Sequence, residues 1–374
     1  MQFSQISGLI DIKSRLINAV KNNHIAHAQL FSGHEGSGNL ALAIAFATFI
    51  NCENKLEDDS CGKCASCSKY NKLIHPDLHF VFPVSTTKEV TKDPLSKLFI
   101  KDWRKFISEN PYGDINCWGG YMGAENKQLS ISVDESRNIV KTISLKAFEA
   151  EYKVLIIWLV ETMNQSASNS ILKVLEEPPE KTIFFLITNN AEKIIPTILS
   201  RTQRMNIRSF KDVELIEELI SRHSIEEKSA KQIAYLSDGN MNEGIRLLSE
   251  IEEDTHIMFR EWMRKCYKKN NIAELVNASE DFQKKGREGQ KSFLIYGLSI
   301  MRECLISPFA KDLIRLQSDE MQFVEGFSKI ITWEKIEKIN NQLTDACYHI
   351  ERNANAKIVF LDTSLTISGI LKTT

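Results

Sequence analysis

Two stretches of this chain are of strand length and largely apolar: residues 154–160 (Val-Leu-Ile-Ile-Trp-Leu-Val), an unbroken apolar run, and residues 182–188 (Thr-Ile-Phe-Phe-Leu-Ile-Thr), apolar between two threonines. Both are rich in β-branched and aromatic side chains, which fits strands buried on both faces of a parallel sheet. Residues 28–31 and 80–84 read as shorter strands of the same kind. Between these runs the period changes to that of a helix. Ile12, Leu16, Ile17 and Val20 share one side of residues 4–22. Leu40, Ala43, Ile44, Ala47 and Ile50 follow a glycine loop, residues 132–144 form a further helix, and Ala167, Ile171, Val174 and Leu175 share a face after Asn164. Asn164 suits a helix cap, and Pro178-Pro179 ends the helix because the residue before a proline is pushed out of the helical region. From Phe210 onward the pattern is helical and charged. Residues 213–222, 226–237 and 242–251 read as three short helices. Beyond about residue 270 a helical domain follows, with Phe293, Ile295, Leu298 and Met301 on one apolar face.

A length of 374 residues suggests two or three domains. Hydrophobic content of 43% and charged content of 26% are ordinary for a globular protein. The net charge of −2 gives no basic signature, so any nucleic-acid contact must come from a local patch. Met1-Gln2-Phe3-Ser4-Gln5 lacks a basic region followed by an apolar core, and no apolar run approaches the ~20 residues that span a bilayer. The expectation is a cytoplasmic protein without membrane contact. Its eight cysteines then stay reduced and form no disulfide framework.

Residues 33–40 read Gly33-His34-Glu35-Gly36-Ser37-Gly38-Asn39-Leu40, a G-x-x-x-x-G loop set between a strand and a helix. That setting is the one in which backbone N–H groups cradle phosphates. The side chains depart from the motif. Asn39 stands where a lysine would neutralise β- and γ-phosphate charge, Leu40 replaces the hydroxyl that ligates magnesium, and Glu35 adds negative charge. Two readings stay open: a tight turn kept for its backbone, or weak nucleotide binding through N–H groups alone.

Cys52, Cys61, Cys64 and Cys67 follow in the pattern C-x8-C-x2-C-x2-C, four thiols within sixteen residues. Four thiolates so spaced close a tetrahedral zinc site with no open position, which makes the metal structural. A redox Cys-x-x-Cys would leave two thiols unexplained. Cys117, Cys266, Cys304 and Cys347 are scattered and read as small core residues. His75-Pro76-Asp77-Leu78-His79 is either a turn before a strand or a second metal site. Residues 85–130 form a long insertion rich in Lys, Asn and Gly that carries Trp103 and Trp118, with a short helix at 97–107. Basic residues interleaved with aromatics suit a nucleic-acid contact, and a solvated insertion with its own small core is the other reading.

The segment that ends Leu175-Glu176-Glu177-Pro178-Pro179 resembles the helix after the Walker B strand in bacterial DNA polymerase III clamp-loader subunits, an AAA+ family. The resemblance covers about residues 3–83 and 131–250, and the C-terminal region loosely. It implies a P-loop-type parallel sheet flanked by helices in an AAA+ core at 1–208, with the zinc module at 52–67. A small helical lid at 209–268 and an all-helical collar at 269–374 would follow. Where the family's motor subunits carry an Asp-Glu-Ala-Asp-like sequence, this chain has Trp158-Leu159-Val160-Glu161, so the two carboxylates that serve magnesium and water are absent. Thr188 or Asn189 occupies the place of a γ-phosphate sensor, and Asn242 that of a sensor arginine. Ser200-Arg201-Thr202 matches the family's Ser-Arg-Cys except at Thr202. In the family that arginine projects into a neighbour's nucleotide site, and an arginine suits the task because its planar fork contacts two phosphate oxygens at once.

The pattern is most similar to the delta-prime type of that family. It implies an ATPase-silent subunit that binds no ATP, holds structural zinc and contributes Arg201 in trans to a neighbour's catalysis. Its implied partners are gamma/tau and delta subunits in a hetero-oligomeric ring, with primed DNA and the sliding clamp reached through the complex during replication. An active gamma/tau-like motor, which would hydrolyse ATP alone, is the alternative. A zinc-dependent nucleic-acid-binding protein is a third, which would show strong salt-sensitive DNA binding without partners.

Overall fold

The structure is a computed structural model that describes residues 1–125, 127–144, 146–248, 255–268, 271–309 and 318–372. The chain divides into two compact units, Met1–Glu218 with Gly239–Glu243, and Leu219–Asp238 with Gly244–Thr374.

The first unit is built on five strands: β1 (Ala28–Gly33), β2 (Leu78–Val81), β3 (Lys153–Trp158), β4 (Thr182–Thr188) and β5 (Gln203–Ile207). They form one parallel sheet in the order β2-β3-β4-β1-β5, with Ala28 opposite Phe184, Lys153 opposite Thr182 and Leu78 opposite Val154. Every residue of β3 and β4 is buried, the outcome their apolar runs demand of central strands covered on both faces. This is the helix-flanked P-loop-type sheet that the resemblance implies.

One face is covered by α2 (Asn39–Ile50), with α1 (Ile10–Lys21) packed against that helix. All of α2 is buried, because its sequence is apolar around the whole circumference. Its Phe46 ring stacks on Phe185 of β4 at 5.2 Å. On the other face, α6 (Val133–Ile143), α7 (Gln165–Glu176) and α8 (Pro196–Leu199) bury Ile139, Ile171, Leu175 and Ile198 against Leu30, Leu155, Phe184 and Leu186. Asn164 caps α7 as expected, its side chain accepting from Ala167 N at 2.8 Å.

Several boundaries differ from the sequence reading. The strand expected at 80–84 runs from Leu78 to Val81, since Ser96 Oγ rather than a strand meets the Phe82 backbone. β3 stops at Trp158, where Leu159 turns left-handed (φ 55°) into a short 3₁₀ turn at Val160–Thr162. β5 was not expected at all: it is polar, exposed over its first residues and lies at the sheet edge.

The insertion is closed at its base by an antiparallel bridge between Val84 and Ser130. It contains α4 (Ile100–Glu109) and α5 (Ile115–Met122), and precedes α6. Its own aromatic core, Trp103, Phe106 and Trp118 in mutual contact, is shared with the sheet. Trp103, Phe106 and Trp118 pack with Phe82 and with Trp158 of β3, so the insertion is anchored on the end of the sheet. The nucleic-acid reading of these tryptophans is therefore corrected: both are fully buried and present no ring face for a base to stack on.

After β5 come α9 (Asp212–His223), which the division between the units cuts after Glu218, then α10 (Glu227–Ser237) and α11 (Met241–Leu247). The last part of the helix expected at 242–251 lies outside the described residues. The second unit is helical, with α12 (Thr255–Tyr267), α13 (Ile272–Lys284), α14 (Gly286–Ile306), α15 (Ser318–Phe327), α16 (Trp333–Glu351) and α17 (Ala356–Lys372). Phe282 and Phe360 stack at 4.0 Å, and Trp262 Nε1 donates to Ser364 Oγ at 2.9 Å. On α14 the buried face is Phe293, Leu294, Tyr296, Ile300 and Met301, with Ile295 and Leu298 half-buried. No helix among the described residues is long and apolar enough to cross a membrane.

Candidate functional site

The glycine loop joins β1 to α2. Gly36 (φ 69°) and Gly38 (φ 80°) both sit in the left-handed region, and Gly38 is the residue before the helix. A Cβ on Gly36 would collide with the Asn240 side chain, and one on Gly38 would press on the Phe210 ring at 3.1 Å. At Gly33 it would strike Ser37 Oγ. These glycines are therefore required by neighbours within the same chain. Met241 N donates to Gly36 O at 3.1 Å, and Phe210 N donates to Gly239 O at 3.1 Å, so residues 239–243 lie against the loop. The backbone N of Asn242 is among the atoms nearest that Gly36 position, while Glu35 is exposed.

Asn39 opens α2 and is buried. Its Nδ2 donates to Asn189 Oδ1 at 2.9 Å and to Thr188 O at 3.4 Å, and its Oδ1 accepts from Leu40 N at 2.8 Å. The amide thus binds the start of the loop helix to the end of β4. Glu161 joins the same region: its Oε1 accepts from Asn189 N at 2.9 Å, and burial pushes its carboxyl above the ordinary range. No motif in the sequence assigns Glu161 a task. Its contact lies 28 residues away and leaves no periodic signal.

Trp158 and Leu159, at the end of β3, are both buried. The Trp158 ring lies 5.1 Å from Trp103 and 5.7 Å from Phe106. Leu159 offers its carbonyl to Thr162, whose hydroxyl donates at 2.7 Å. Neither side chain supplies an oxygen to a cation. The structure brings Asn39, Thr188 and Asn189 together and turns Trp158 into the aromatic cluster.

The four cysteines converge. Their sulfurs all lie within 4.8 Å of one another, and they are the one metal-capable group among the described residues. A tetrahedral zinc with Zn–S of about 2.3 Å needs sulfurs about 3.8 Å apart, and Cys61 and Cys67 Sγ are 4.0 Å apart. Backbone N–H groups of Cys61, Cys64 and Cys67 each donate to a preceding cysteine sulfur at 3.3 Å. Such donors stabilise thiolates, and N–H groups of Lys63 and Cys64 hold the Cys61 thiol down to about 6. The donor set fits a structural metal. The module is also tied to the chain's start, since the Asp59 carboxylate accepts from Phe3 N and Ser4 N at 3.0 and 2.9 Å.

The second metal reading, at His75-Asp77-His79, is corrected. Asp77 spends its oxygens on three consecutive backbone N–H groups, those of Phe148, Glu149 and Ala150, at 2.6, 2.9 and 2.8 Å. Its carboxylate is the clasp of a loop, and His75 Nε2 faces Glu149 at 3.3 Å.

Arg201 follows α8 and is about a third exposed. Its Nε and Nη2 reach Glu176 Oε2 at 3.2 and 3.0 Å, and Nη1 donates to Thr197 O at 3.1 Å. Thr202 Oγ1 donates back to Ile198 O at 3.2 Å, which finishes the α8 turn. In the sequence Glu176 stands only as part of the motif that ends α7. Its pairing across 25 residues is the contact the sequence hid.

A family model described as "DNA polymerase III, delta subunit" matches residues 10–211. Among curated proteins, the DNA polymerase III subunit tau of Bacillus subtilis (strain 168) is 29% identical over 254 residues, which is 67% of this chain and 37% of that protein. The subunit gamma of Buchnera aphidicola subsp. Schizaphis graminum is 26% identical over 349 residues, 91% of this chain and 80% of that one. The subunit delta' of Bacillus subtilis (strain 168) is 25% identical over 234 residues, 62% and 56% of the two. The chain thus spans little more than a third of the tau subunit's length. Because the family match extends over more than half of its 374 residues, and named relatives of the tau, gamma and delta' types align with it, this chain belongs to the clamp-loader subunit family of DNA polymerase III.

Proposed function

We propose that this chain is an ATPase-silent member of a DNA polymerase III clamp loader, of the delta-prime kind, which completes a neighbouring motor subunit's ATP site with Arg201. The observation that carries the reading is Trp158. Its indole is buried among Trp103 and Phe106 at the end of β3, where this reading sets the carboxylate that would hold magnesium in a motor subunit. A triphosphate without that cation and without the loop lysine has little to offset its charge. Asn39, engaged with Thr188 and Asn189, supports the same reading. In this account the four cysteines hold zinc as a structural ion, residues 209–268 serve as the lid and residues 269–374 as the collar. Gamma/tau and delta subunits are the ring partners, and DNA and the sliding clamp are met through the assembled complex.

Arg201→Ala tests the reading in a loader reconstituted with gamma/tau and delta subunits. The variant chain should fold and assemble, while ATP turnover of the complex falls by about 10³-fold at the one site it serves. Unchanged turnover at that site would sink the proposal. The motor reading draws on the identity to tau and gamma subunits. It requires ATP turnover by the isolated chain, which the silent reading forbids.

A further inference from the structure

Arg201 is held on its own chain. Both Nε and Nη2 converge on one oxygen of Glu176, and Nη1 is taken by Thr197 O and, at 3.4 Å, by Ser200 Oγ. A guanidinium so committed has no fork left with which to grip a second anion. Glu176 is the last residue of α7, and Arg201 follows α8, so two packed helices of one unit carry the pair. The side chains are 59% and 31% exposed, which places the pair in water rather than in the core.

We propose that Glu176 is a parking partner for Arg201, which holds the guanidinium until a neighbour's triphosphate displaces the carboxylate. The proposal rests on the reading of Arg201 as a residue delivered in trans. The chemistry of the exchange is simple: one charge-assisted, fork-shaped hydrogen-bond donor leaves a carboxylate of charge −1 for a phosphate that carries more charge and more acceptor oxygens. No covalent bond changes. An exposed ion pair shifts an equilibrium by about fivefold or less, so the clasp is weak enough to open and strong enough to bias the resting rotamer. Glu176 does not touch the reacting atoms and is a positioning residue. Its effect is on how readily the neighbour's site closes on ATP, since the parked state competes only while the phosphate is absent.

The test is a loader reconstituted from gamma/tau and delta subunits with this chain as wild type, Glu176→Gln, Glu176→Ala or Arg201→Ala, assayed with ATP and magnesium. Because Glu176 is more than half exposed, its variants should unfold at the wild-type temperature as isolated chains. The expected signature of Glu176→Gln and Glu176→Ala is a KM for ATP lowered about two- to fivefold, with kcat within twofold of wild type. That advantage should shrink as salt is raised, because the wild-type clasp is itself screened. If both Glu176 variants keep the wild-type KM while Arg201→Ala loses turnover, the pair is an ordinary surface contact and the parking role is overturned. If the Glu176 variants lose kcat as Arg201→Ala does, the carboxylate aims the finger instead of holding it back, which also overturns it. If Arg201→Ala alone leaves turnover unchanged, the underlying reading of the arginine fails, separately from the fate of Glu176.

Discussion

Asn39 Nδ2 lies 2.9 Å from Asn189 Oδ1, so the residue that opens the glycine-loop helix is bonded to the residue that follows β4. Asn189 N in turn donates to Glu161, and the ends of β3, β4 and the loop helix share one polar seam.

That seam makes a point substitution a poor way to recover chemistry. Asn39→Lys should leave the isolated chain's ATP turnover at background, since Trp158 and Leu159 still offer magnesium no oxygen. It should also lower stability by about 1–3 kcal/mol, because Asn189 and the Thr188 carbonyl lose a buried donor. A coupled ATPase assay and urea unfolding measure the two effects. Turnover above background would mean that the magnesium site lies elsewhere than Trp158.

The four-cysteine module should carry one zinc per chain by metal analysis. Cys64→Ser should release it, since Cys64 is both a ligand candidate and the cap of α3 (Ala65–Asn71), accepting from Cys67 N. Because Asp59 fastens Phe3 and Ser4 to the module, loss of the ion should extend to the lead into α1, seen as faster amide exchange there. A metal-free preparation with the same unfolding temperature and exchange pattern would remove the zinc claim.

Glu214 gives the first unit a defined response to acid. Burial opposes its charge, but the Arg208 guanidinium at 2.7 Å and the backbone N–H groups of Lys211 and Leu9 outweigh it and hold the carboxyl down to about 2. A carboxyl lowered in the folded state adds stability above its unfolded value near 4.5 and gives it up as pH falls toward 2. After allowance for partial solvent exposure, the contribution at pH 7 is on the order of 2–3 kcal/mol. Glu214→Gln should therefore be less stable at pH 7 by about that amount and show a flatter loss between pH 5 and pH 2. Parallel acid curves for the two proteins would contradict the assignment.

The legible parts of this molecule were those where burial dictates residue type. β4 was given residue for residue by its apolar run, and α7 by Asn164 and the proline pair. β5 escaped because an exposed edge strand of Gln, Arg, Met and Asn has no alternation to read, and only its register on β1 defines it. α5 escaped because Gly119 and Gly120 lower its helix propensity, and packing of Trp118 decides the matter. At the site, the apolar identity of residues 158 and 159 was plain in the sequence. The tasks of Glu161 and Glu176 were not, since each is defined by a partner more than twenty residues away.

The tilted ring cluster around Trp158 limits what a single substitution there can do. A carboxylate placed at this position would sit against Trp103 and Phe106 as an unsolvated charge, and the insertion would have to repack around it. A charge at this corner thus needs several coordinated changes, each harmful until the others arrive. Filled by indole, the end of β3 tolerates little but another large ring.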